Sequence, residues 1–227
     1  MTATVPANAR SSLASFYDSV IGKKVVMAVT GLILFGFVVV HMLGNLQIYL
    51  GPQAINRYAE LLRVSPGLLW GARLVLLGAV GLHILTALQL AKRKMDARPQ
   101  GYQKYTPTTS SYASRTMLWS GPILAAFIVY HLLHLTVGSV HGDFREMQVY
   151  HNVVSGFRVI PVSIAYIVAM AALGIHMHHG VWSLFQSLGV AHPRYTPLLK
   201  KFAAAAAVVV VAGNISIPVS VMLGILK

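Results

Sequence analysis

Hydrophobic and polar positions fall in long blocks, without the short period of an amphipathic surface helix or a half-buried strand. Five blocks carry no charged side chain: residues 25–50, 74–91 (with an apolar lead-in from 68), 117–140, 159–181 and 202–226. Crossing a bilayer takes a helix of about 17–25 residues, and each block is about that long. Backbone amides in lipid must be paired within the protein, so blocks of this kind predict helices. Pro122 and Pro161 fall near helix starts, where proline is tolerated, whereas Pro218 lies inside the last block and predicts a kink. The expected fold is an all-α membrane protein, a bundle of five transmembrane helices. One domain covers residues 25–227, behind an N-terminal arm at 1–24 whose segment "SSLASFYDSVI" suggests a short surface helix. That arm holds Arg10 and Asp18 and no continuous apolar stretch, so it does not read as a secretory signal.

The polar segments between blocks set a direction. The arm, residues 92–115 and residues 182–201 would share one side. Together they hold twelve basic residues: Arg10, Lys23, Lys24, Lys92, Arg93, Lys94, Arg98, Lys104, Arg115, Arg194, Lys200 and Lys201. The opposite side holds six: Arg57, Arg63, Arg73, Arg145, Arg158 and Lys227. The positive-inside rule then places the N-terminus in the cytoplasm and the C-terminus outside in a multi-pass topology; the expected location, a bacterial plasma membrane, does not follow from this rule. The basic inner face is read either as this topology signal alone or as a docking surface.

Composition agrees and removes several chemistries. Only 10% of residues are charged, against about 25% in soluble domains, and mean hydropathy is +0.66. There is no cysteine, which excludes disulfides, thiolate zinc sites, Cys-ligated clusters and c-type haem attachment on this chain. The net charge of +13 points to a partner surface or anionic membrane lipid, not to nucleic acid. Phosphate-binding loops, His-Glu-x-x-His and Ser-His-Asp patterns are absent. None of the five acidic residues lies in an apolar block, which argues against a carboxylate proton relay.

Histidine is what remains. The first four blocks each contain it: His41; His83; His131 with His134; and His176 with His178 and His179 just beyond. A rise of about 1.5 Å per residue turns position into depth. His41 stands 17 residues past Lys24 and His131 16 past Arg115, so both lie about 25 Å from the inner surface. His83, 9 residues before Lys92, lies about 14 Å from it, and His176, 15 residues beyond Pro161, is also nearer the inner side. Two layers result, each split between two helices. Opposed imidazoles at one depth suit a haem held between helices, and Gly78, Gly81, Gly121, Gly174, Ala125 and Ala126 are small enough to admit a macrocycle. Helix–helix polar contacts, or a haem-free transporter or channel with a histidine proton or metal pathway, remain open on spacing alone.

Four motifs carry a family resemblance: "SVIGKKVVMAVTGLILFGFVVVHMLGNLQ" (19–47), "GLHI" (81–84), "VYHLLHL" (129–135) and "IHMHHGVWSLFQSLG" (175–189). Together they resemble the dihaem cytochrome b anchor of succinate:quinone oxidoreductases and quinol:fumarate reductases, the type with a single five-helix subunit. The resemblance implies axial ligands at His41, His83, His131 and His176, with His83 and His176 around an inner haem b and His41 and His131 around an outer one. It also implies two haems b per chain, quinone (usually menaquinone) as electron acceptor, flavoprotein and iron–sulfur partner subunits, and room for a higher oligomer of the complex. In some menaquinol-oxidising members a carboxylate precedes the fourth ligand by two residues. Gly174 holds that position here and favours the succinate-oxidising direction.

The quinone reaction needs polar groups near a haem edge. At the outer ends of the first two blocks these are Asn45, Gln47, Glu60 and Arg73, with Glu60 the expected proton-transfer residue. Glu60 reads equally as a solvated interfacial carboxylate. At the inner end His179 shares the helix face of His176 and could meet a propionate, a quinone or the partner.

Overall fold

The computed structural model describes residues 12–97 and 111–227. The expected basic residues Arg10, Arg98 and Lys104 lie outside these. Helix follows helix, with no strand among the described residues. A short α1 (Ser12–Asp18) leads into α2 (Val20–Asn45), whose first turn is capped by Ser19 Oγ accepting from the Gly22 amide at 2.8 Å. A 3₁₀ turn over Leu46–Leu50 and Gly51, with φ of 100°, swing the chain into α3 (Pro52–Leu61). Next come α4 (Pro66–Asp96), α5 (Tyr112–Arg115) and α6 (Met117–Leu132), which ends in a π turn at Leu133–Val137 and left-handed Gly138. Last are α7 (Val149–Arg158), α8 (Ile160–Ser187) and α9 (Thr196–Met222).

Five segments are long and apolar enough to cross a membrane: Val20–Leu50, Pro66–Asp96, Met117–Val137, Ile160–Ser187 and Thr196–Met222. They overrun most of the charge-free limits because a helix continues past the bilayer edge while lysine and arginine reach for water. Arg93 and Lys94 in the last turn of α4 also complement its dipole. Pro122 falls inside α6, five residues past its start, so the amide bond to Leu118 is missing within the helix.

The bundle is built on α8 against α9, with α2 packed on α4, α8 and α9, and α6 on α8. The alanine- and valine-rich start of α9 divides by face: Ala203, Ala207 and Val210 are buried, Val208 and Val209 exposed. A Cβ on Gly174 would stand 2.7 Å from Val211 Cγ2, so this glycine sets how closely α8 and α9 approach. At the N-terminal end of α2 Lys23 is buried with its ammonium 3.9 Å over the Tyr17 ring, and Tyr17 donates to Gln89 at 3.0 Å, tying α1 to α2 and α4.

The connections from α2 to α4 and from α6 to α8 fold into a cap. Amphipathic α3 and α7 pack on each other, and Ile48, Ile55, Val154, Phe157, Tyr166, Ile217 and Val221 form one core beneath them. The Asn56 side-chain oxygen accepts from the Tyr150 amide at 3.0 Å. Asn152 clamps the loop before α7 by accepting from the Arg145 amide and donating to its carbonyl, at 2.8 and 2.7 Å.

Overpacking a tight helix contact costs about 1–3 kcal/mol. Gly174→Leu is therefore expected to lower the melting temperature of the detergent-solubilised protein, while Gly36→Leu, at an exposed position with open space around it, leaves it unchanged. Equal melting temperatures for the two variants would refute the close α8–α9 contact.

Candidate functional site: two layers of paired histidines

The histidines that depth arithmetic placed in one layer are neighbours in space. The His41 and His131 rings have centroids 5.8 Å apart and stand perpendicular, and those of His83 and His176 are 6.3 Å apart. A metal–imidazole bond is about 2 Å, so two rings holding one ion from opposite sides have bonded nitrogens about 4 Å and centroids about 6 Å apart. Both pairs match that separation. They also span gaps: α2 and α6 are not among the extensively packed helix pairs, nor are α4 and α8. Cβ atoms added to Gly78, Gly81 or Gly121 would meet nothing within 4 Å, so these glycines border open space. Gly174 does not, because Val211 occupies the space beside it. The described residues hold no cluster of three or more His, Cys, Asp or Glu side chains fit for a metal ion, and the arrangement is one of pairs only.

Each pair has supports that sequence reading missed. Thr30 Oγ1 lies 3.1 Å from His83 Nδ1 and itself donates to the Val26 carbonyl at 2.8 Å, so it accepts from the imidazole. Ser120 Oγ lies 3.1 Å from His176 Nδ1, and the Tyr166 hydroxyl 3.3 Å from His131 Nδ1. A partner that accepts at Nδ1 fixes the tautomer and leaves the Nε2 lone pair free for a ligand. These partners share helices with the other layer's histidines. Thr30 and His41 are 11 residues apart on α2, Ser120 and His131 11 apart on α6, and Tyr166 and His176 10 apart on α8. All three spacings give a layer separation of about 15–16 Å.

The remaining expected residues are scattered. Asn45 ends α2 half-buried, and His179 is half-buried on α8 beside exposed His178. Glu60 is exposed on α3 and pairs with Arg57 at 3.1 Å. Arg73 lies on α4 with its guanidinium 5.0 Å over the Trp70 ring. At the capped end of the bundle it borders a cavity of about 480 Å³ whose other polar lining includes Arg63, Glu146, Thr136 and Asn152. Neither Asn45 nor Glu60 lines that cavity. Sequence alone does not single out Glu146, because its loop is brought to the cavity beside Arg73 only by the folding of the α3–α7 cap.

A five-span helical membrane protein with two stacked pairs of intramembrane imidazoles is the class that fold and site define. A family model described as the succinate dehydrogenase/fumarate reductase transmembrane subunit matches residues 92–214, more than half of the chain. The chain belongs to that family, and so is a membrane subunit of a complex that is an enzyme. Membership implies association with the complex's flavoprotein and iron–sulfur subunits. No curated protein and no solved structure matches the chain. The matched region contains His131 and His176 but begins after His41 and His83, whose pairing rests on the geometry.

Beside the cavity, His151 Nε2 donates to Asp143 at 2.8 Å and Arg145 pairs with the same carboxylate at 3.3 Å. Desolvation raises the Asp143 pKa, but the His151 hydrogen bond and the Arg145 and His151 charges outweigh it, and the net direction is down. A depressed folded-state pKa stabilises the loop above the ordinary carboxylate value of about 3.9 and ceases to do so as pH falls through the lowered value. Hydrogen exchange of the Asp143 and Arg145 amides, corrected for intrinsic rate, should thus stay protected near neutrality and lose protection only below about pH 4. The same profile in Asp143→Asn would show that the carboxylate plays no part.

Proposed function

We propose that this chain is the dihaem cytochrome b anchor of a succinate:quinone oxidoreductase, in a bacterial plasma membrane with its N-terminus in the cytoplasm. The observation that carries the reading is the pair of depth-matched imidazole couples, each bridging helices that are otherwise apart and each supported at Nδ1 by a hydroxyl. His83 with His176 would hold the inner haem b, and His41 with His131 the outer one. When bound, such haems supply one-electron carriers between an iron–sulfur partner and membrane quinone.

The chain's own side chains do the rest. Thr30 and Ser120 hold the inner imidazoles in the ligating tautomer, and Lys92, Arg93 and Lys94 present positive charge where the iron–sulfur subunit docks. Quinone, menaquinone in the family's usual form, is placed at the outer cavity. There Arg63 and Arg73 can donate hydrogen bonds to its oxygens and Glu146 can exchange protons. Glu60, paired with Arg57 on the neighbouring exposed face, is the second carboxylate of that end. A carboxylate at position 174 would collide with Val211, which supports the succinate-oxidising direction.

Two experiments test this. Substituting His83 or His176 by alanine should abolish one haem spectrum, and substituting His41 or His131 the other. Loss of the same haem in all four variants would break the two-layer assignment. Glu146→Gln should lower succinate–quinone turnover by about tenfold or more while both haems and succinate oxidation with a soluble acceptor persist. Glu60→Gln should have a smaller effect. Full quinone turnover in both variants, with loss in His179→Ala, would move the site to the inner end.

A further inference from the structure

The two histidine layers are supported differently. Thr30, behind His83, is tied to its own helix through the Val26 carbonyl, and Ser120, behind His176, lies within 3.5 Å of the Met117 carbonyl. Tyr166, behind His131, instead shares its hydroxyl with a second histidine, His134, whose Nδ1 lies 2.9 Å away. A phenol has one proton to give. A ligating His131 carries its proton on Nδ1 and donates it to the Tyr166 oxygen, so the phenol must donate onward to His134 Nδ1. The direction of the whole chain of hydrogen bonds then follows from His131.

His134 is well placed to receive that bond. It is 2% exposed and stacks between the rings of Tyr130, at 5.5 Å and 9°, and His141, at 4.7 Å and 18°. His141 cannot turn: its Nε2 donates to the Asn152 carbonyl at 2.8 Å and its Nδ1 accepts from the Asp143 amide at 3.1 Å. Gly156 of α7 lies against both rings, and a Cβ there would stand 2.8 Å from His134 Cε1 and 3.0 Å from His141 Nε2.

Resting on the dihaem reading above, we propose that Tyr166 and His134 are positioning residues that set the electron-donating strength of His131. The folded outer cap locks them in place through His141, Asn152 and Gly156. A hydrogen bond accepted from a ligand's N–H makes that imidazole a stronger donor, which favours oxidised iron. The outer haem accordingly sits at a lower midpoint potential than His131 alone would give it, and the outer surface of the protein governs that value.

The test is a redox titration of the purified complex, following both haems by absorbance and by electron paramagnetic resonance. Tyr166→Phe keeps the ring contacts with Phe127 and Phe157, at 5.0 and 4.8 Å, and removes only the hydroxyl. It should raise the outer midpoint and change the outer resonance, with the inner haem unmoved. His134→Phe should shift the outer midpoint in the same direction, and His134→Gln, whose amide oxygen can accept from Tyr166, should restore most of it. Gly156→Ala, remote from His131, should again move the outer haem alone. An outer midpoint unchanged in Tyr166→Phe, equal potentials in His134→Phe and His134→Gln, or equal shifts of both haems would overturn the proposal. If Tyr166→Phe loses the outer haem, the His134 comparison decides by itself. Absence of haem b from the unmutated complex would instead sink the dihaem reading.

Discussion

An imidazole buried in a membrane-spanning bundle brings two ring nitrogens into a region without water, and each must find a partner there. Leaving a buried polar group unpaired costs several kcal/mol in such surroundings. Here three of the four layered histidines meet a hydroxyl at Nδ1, from Thr30, Ser120 or Tyr166, and each has its ring centroid 5.8 or 6.3 Å from that of an imidazole on a different helix. Much of the architecture follows. α2, α6 and α8 must each reach both depths, so each carries one histidine and one hydroxyl about three turns apart. The helices facing one another across each pair stand apart, and α8 on α9, with α2 on α4, supplies the most extensive packing.

The two ends of the molecule answer different demands. At one end the chain presents lysine and arginine on helices that run past the bilayer, where we propose that the iron–sulfur subunit docks. At the other end α3 and α7 close over the bundle, and the same loop that holds His141 and Asp143 also brings Glu146 to the cavity that Arg73 borders. One folded cap therefore borders the outer histidine layer and the polar cavity together, so a change in the loop can affect both.

The spans, the four layered histidines and their sorting into two depths were all readable in the sequence. Charge-free length and a fixed helical rise are properties of a single segment, and neither needs tertiary contacts to be known. What could not be read depends on contacts between segments. Ser120 and Thr30 look like ordinary small polar residues until a ring from another helix is set beside them. His134 looked like a neighbour of the ligand position, yet it is the more buried of the two. Gly174 was expected beside a macrocycle and instead receives Val211, because a glycine in sequence announces only that something approaches, not what. Asn45, Glu60 and Arg73 share an end of the molecule without sharing a cavity. Depth along a helix is legible from sequence, but azimuth around the bundle is not.

Everything proposed for the paired imidazoles turns on what they hold, and the amount of haem in the purified protein decides it. Pyridine haemochrome assay combined with amino-acid analysis gives haem b per polypeptide directly. The account predicts two haems b per chain; a value of zero would leave the histidines as helix contacts or a proton path and contradict it.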